Sequence, residues 1–128
     1  MSYYLAKMLS VSFDEAVTRV TESLKTEGFG ILTEIDISAT LKKKIGVDYP
    51  AYRILGACNP ALAHESLQLE NKVGTMLPCN VVVRDAGNGQ IEVAAVDPVA
   101  SMQAIDNPAL KQAASIVRAK LEKVIAGL

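Results

Sequence analysis

The chain has 128 residues, 50% of them hydrophobic, with 13 Lys and Arg against 14 Asp and Glu and a formal net charge of −1. One domain over residues 1–128 suits this length, since domains most often run to ~100–150 residues, and the lack of a basic excess argues against nucleic acid as a partner. The opening Met1-Ser2-Tyr3-Tyr4 has no basic stretch leading into a secretion signal, and no apolar run approaches the ~20 residues of a membrane span. A cytoplasmic chain without membrane contact is therefore expected.

Aromatic residues make up only 5% and Trp is absent, so the core must be mostly Val, Ile, Leu and Ala. The apolar content exceeds what one small core needs, which points to an oligomer interface for the remainder.

Residues 2–10 alternate as a strand, Tyr3, Leu5 and Lys7 against Tyr4, Ala6 and Met8. Ser12-Phe13-Asp14-Glu15 is a capping box: the Ser12 hydroxyl accepts the Glu15 N–H while the Glu15 carboxylate reaches back to the N–H of Ser12. Ala16, Val17, Val20 and Leu24 then mark one helix face, and Gly28 closes the helix in the left-handed position. Residues 29–37 read as a strand, with Phe29, Ile31, Thr33, Ile35 and Ile37 on one face and Leu32, Glu34 and Asp36 on the other. A short helix is expected over residues 39–45, ended by Gly46.

Tyr52 to Cys58 is a strand covered on both sides. Asn59-Pro60 starts a helix reaching Leu69, with Asn as N-cap and Pro at the first helical position. Cys79 to Arg84 and Ile91 to Val96 are strands joined by the loop Asp85-Ala86-Gly87-Asn88-Gly89. Residues 99–105 allow a turn or two of helix. Asn107-Pro108 starts the last helix, whose stripe is Leu110, Ala114, Val117, Leu121, Val124 and Leu128. The hairpin near the end indicates an α+β fold, a mostly antiparallel sheet with helices packed on one face.

Phe13-Asp14-Glu15-Ala16, the run from Leu24 to Gly30, the run from Thr33 to Asp36, the run from Tyr52 to Pro60, the run from Leu77 to Val83 and Ala95-Val96-Asp97-Pro98 together resemble the domain-of-unknown-function family 302 (DUF 302). The likeness covers about residues 11–105. It implies an α+β fold similar to the TATA-binding-protein-like class, and a homodimer. It assigns no activity and no catalytic residue.

The chemistry in the chain centres on its two cysteines. Cys58 ends a strand just before a helix start, where the helix dipole lowers a thiol pKa. Cys79 opens the next long strand. Together with the adjacent Asn59 and Asn80 they form the candidate ligand-binding set. The plain alternative makes each cysteine a small buried hydrophobe. Cys58, Cys79 and the single histidine, His64, compose a Cys₂His set for zinc or another soft metal ion, or for copper(I) with Met76, although the spacing matches no standard zinc motif. His64 reads more readily as a surface helical residue.

The Lys42-Lys43-Lys44 run reads as a solvated face, and Glu34 and Asp36 as the solvent side of an edge, with Asp36 also capping the next helix. Gly28-Phe29-Gly30 follows a helix and precedes a strand, the reverse of a phosphate loop. Three functional readings follow. The chain is a homodimeric module binding a soft metal or a small ligand near the thiols, a thiol redox or sulfur-carrier enzyme using Cys58, or a protein-interaction scaffold without chemistry.

Overall fold

Side-chain caps fix where the helices begin in the computed structural model, which describes residues 2–128. After β1 (Tyr4–Leu9), Ser12 Oγ accepts the Glu15 N–H at 3.1 Å and opens α1 (Phe13–Thr26). Only that half of the expected capping box forms, because the Glu15 carboxylate turns along the helix to Arg19 at 3.1 Å. The helix ends in a Schellman motif, with Gly28 N–H on Lys25 O, Phe29 N–H on Leu24 O, and Gly28 at φ 84°.

β2 (Gly30–Asp36) runs directly into α2 (Ile37–Ile45). This helix starts two residues before the expected Ala39, since Asp36 caps it by accepting the Ala39 N–H at 2.9 Å. β3 (Tyr52–Cys58) leads to α3 (Pro60–Leu69), capped by Asn59, and then to a 3-10 turn over Val73–Met76. β4 (Cys79–Gly87) and β5 (Gln90–Val96) form the hairpin. It is tighter than the five-residue loop expected: Asn88 and Gly89, at φ 56° and 73°, make a two-residue turn whose hand matches the strand twist, so pairing continues to Gly87 and Gln90. Asp97 caps α4 (Pro98–Ser101), and Asn107 caps α5 (Pro108–Ala126).

The strands form one sheet in the order β1-β5-β4-β3-β2, each neighbouring pair antiparallel. α1 and α5 pack on one face, and α3 packs on α5. The α+β class and the antiparallel sheet are as the sequence indicates. The core lies between this face and α1 and α5, where Val20, Leu24, Leu55, Val81, Val93 and Leu121 are sealed from solvent. Each such side chain contributes ~1.5–3 kcal/mol by leaving water.

The alternation expected for β2 fails at one point. A bulge between Ile31 and Thr33 makes Leu32 the extra residue, so Thr33 and Ile35 pair with Gly56 and Ile54 and turn to the face opposite Ile31. The sheet face away from the helices stays uncovered. It carries Tyr4, Met8 and Ile35, exposed by 44%, 48% and 45%, around half-buried Ile54, Val82 and Ala94. Among the described residues no helix is long and apolar enough to cross a membrane.

Candidate functional site

The helix-covered side of the sheet is not filled evenly. Beneath α3 lies a cavity of about 340 Å³, at the small end of the ~300–1,000 Å³ typical of ligand sites. Its floor comes from the ends of β3 and β4, its roof from α3 and the 3-10 turn, and its far wall from α5 and α4. The gap exists because small residues stand where the surfaces face each other: Ala57 on β3, Ala63 on α3, Gly74 in the turn and Ala114 on α5. Leu62, Leu77, Met102 and Val117 complete an apolar lining.

The polar groups in the wall are few and mostly engaged. Asn59 Oδ1 accepts the Leu62 N–H at 3.4 Å while its Nδ2 donates to Glu27 O at 3.3 Å. Ser66, the one buried residue of α3, donates to Leu62 O at 2.9 Å. Among the described residues lining the cavity, none is charged.

Cys58 and Cys79 both line this cavity. Cys79 lies across from Ala57 in the β3–β4 ladder, with Cys58 one position further along. Both are free thiols, Cys58 half-buried and Cys79 buried. Burial, and secondarily the charge of a Cys58 thiolate, push the Cys79 thiol up from 9.0 to about 11. Cys79 therefore stays protonated at neutral pH and is a poor nucleophile.

Cys58, Asn59 and Cys79 all border this cavity, and Asn80 does not. Neighbours in a strand point to opposite faces, and Asn80 lies exposed on the uncovered side. There it borders a second depression, of about 350 Å³, with Tyr4, Tyr52, Arg84 and Glu92. The Arg84 Nε–Glu92 Oε1 bond, 2.7 Å long, raises the Arg84 pKa further and neutralises the pair. His64 does not join the cysteines either. It is exposed on α3, outside the cavity wall, with Gln68 Nε2 at 3.3 Å. Among the described residues no three His, Cys, Asp or Glu side chains gather as a metal site requires, so the Cys58–Cys79–His64 set is not assembled.

The remaining candidates have structural partners. Glu34 pairs with Arg53 at 3.0 Å, Asp36 caps α2, and Lys42 of the exposed lysine run pairs with Asp48 at 2.8 Å. The wall residues Met102, just after α4, and Ala114 and Val117 of α5 carry no local signal of a site. They reach it only through the packing of α5 on α3.

No curated protein matches the chain. Among solved structures, the crystal structure of the uncharacterized conserved protein DUF302 from Bacillus stearothermophilus superposes with a TM-score of 0.91 at 31% identity, covering 98% of each chain. The family model described as domain of unknown function DUF302 matches residues 5–128. Fold, extent and sequence thus agree that the chain belongs to the DUF302 family.

Proposed function

We propose that the protein is a binding module for a small apolar molecule held beneath α3, in the cavity bordered by Cys58, Asn59 and Cys79. The observation that carries this reading is the uncharged, almost wholly apolar lining of a cavity left open to one side, where small residues stand in place of large ones that would fill it. Such a space is unfavourable to leave empty and gives hydration little to hold. A buried, protonated Cys79 is a poor partner for a redox step that begins at Cys58, and two thiols without a third donor weaken the soft-metal reading. The cytoplasm suits two free thiols.

The partner proposed for the uncovered sheet face is a second copy of the chain. Among the described residues that face carries apolar Tyr4, Met8, Ile35 and Val82 beside polar Asn80 and Thr33, and its charges are the self-neutralised Arg84–Glu92 pair, so two copies related by a two-fold axis meet without like charges opposed. The Val82→Lys variant is expected to sediment as a monomer where the parent sediments as a dimer. A monomeric parent overturns the assembly.

The cavity is tested with N-phenyl-1-naphthylamine, an uncharged dye that brightens in apolar sites. Fluorescence should rise on mixing with the parent and be lost with Ala63→Phe, which fills the space from the roof. An equal rise in both would place the dye elsewhere and sink the reading.

A further inference from the structure

Resting on the cavity reading above, we propose that the ligand is an uncharged apolar molecule with one hydrogen-bond acceptor of the carbonyl class, seated against the Cys79 thiol. The absence of charge follows from the wall. Among the described lining residues there is no Lys, Arg or His to meet a carboxylate or phosphate, and no acidic group to meet an amine. An ion brought into that lining would lose its hydration with nothing in return, and burial of an unpaired charge is among the most unfavourable steps in binding.

The acceptor follows from what the wall leaves unsatisfied. Ser66 donates to Leu62 O, and Asn59 is bonded at both ends of its amide. Cys79 differs from both. It is 7% exposed, borders the cavity, and its thiol accepts or donates no hydrogen bond among the described residues. Held in its thiol form, it is an S–H donor at any physiological pH, weak in water but isolated here from competing solvent. A ketone, aldehyde, ester or quinone oxygen satisfies that donor, and the aliphatic or aromatic remainder fills the space toward Leu62, Met102 and Val117.

The experiment displaces N-phenyl-1-naphthylamine with three ligands of one chain length at pH 7.5: 2-octanone, octanoate and 1-octene. The ketone should compete at concentrations roughly tenfold or more below octanoate, because the carboxylate has no cation to pair with. It should also exceed 1-octene by roughly three- to tenfold, the worth of one modest hydrogen bond. The ketone-to-octene ratio should fall toward one in Cys79→Val and return in Cys79→Ser, which restores a donor. Octanoate binding as well as the ketone overturns the uncharged ligand. A ratio unchanged in Cys79→Val overturns the thiol contact. If the dye does not bind the parent at all, the cavity reading itself fails and takes this one with it.

Discussion

α1 and α3 both pack on α5, yet they bury different things. α1 presents Ala16, Val20 and Leu24 to the sheet, each sealed from solvent. α3 buries a serine and stands over a cavity. The difference divides the labour of the fold. The α1 side supplies stability through close packing, and the α3 side gives up that packing and keeps a space. Binding sites are commonly drawn from the less firmly held parts of a protein, and here the division follows from which residues are large and which small.

The comparison breaks first at Leu24. It is fully buried at the centre of the packed side, so Leu24→Ala removes transfer energy and leaves a void that close neighbours cannot fill. A loss of about 3 kcal/mol is expected from urea unfolding. A loss well below that would mean the α1 side yields as readily as the α3 side.

Gly56 sharpens it next, because it joins the two sides. A methyl group there would collide with Thr33 Oγ1 and stand 2.7 Å from Pro78 Cγ, and Pro78 lines the cavity. Gly56→Ala is expected to destabilise by about 2 kcal/mol and to weaken dye binding together. Thr33→Ala in the same chain should recover part of the stability but not the binding, since the pressure on Pro78 remains. Recovery of both would place the whole clash at Thr33.

Local signals were legible and long-range ones were not. Ser12, Asp36, Asn59, Asp97 and Asn107 each act within three residues of themselves, so the starts of α1, α3 and α5 follow from sequence, while α2 and α4 begin two residues and one residue before the expected positions. The bulge at Leu32 depends on the partner strand, and no spacing in β2 foretells it. Asn80 is a different case. Alternation alone separates it from Cys79 once β4 is recognised, so its place on the open face was available from the strand period. Cys58 and Asn59 escape that rule because β3 ends between them. The cavity itself is invisible in sequence. Ala114 reads as one more position in the α5 stripe, and only its place opposite Ala57 and Ala63 makes it an absence of filling.

A smaller effect tests the electrostatics of the cavity floor. Folding raises the Cys79 pKa from 9.0 to about 11, so the unfolded chain loses this proton first as pH rises. Stability is full below the unfolded value and declines as pH climbs through the folded one. The decline belongs between about pH 9 and pH 11 and amounts to on the order of 3 kcal/mol at most. Urea titrations across that window should show it in the parent and not in Cys79→Val. A parent as flat as the variant would mean water reaches the thiol, and the floor is wetter than its lining suggests.

The smallest effect belongs to Leu62, and its smallness is informative. Leu62 is half-buried on α3 and faces the cavity, so truncation to Ala enlarges a space already present rather than opening one in packed surroundings. The cavity penalty that dominates Leu24→Ala is then largely absent. Only the transfer of a partly covered side chain is lost, roughly 1 kcal/mol or less. Dye affinity should fall by more than stability does, since the ligand loses a wall that the protein hardly uses for itself. If Leu62→Ala instead costs as much as Leu24→Ala, α3 in solution has closed on β3 and α5. The space would then be an opening the chain reaches only when a ligand holds it apart, and ligand binding would have to supply the energy of separating those surfaces.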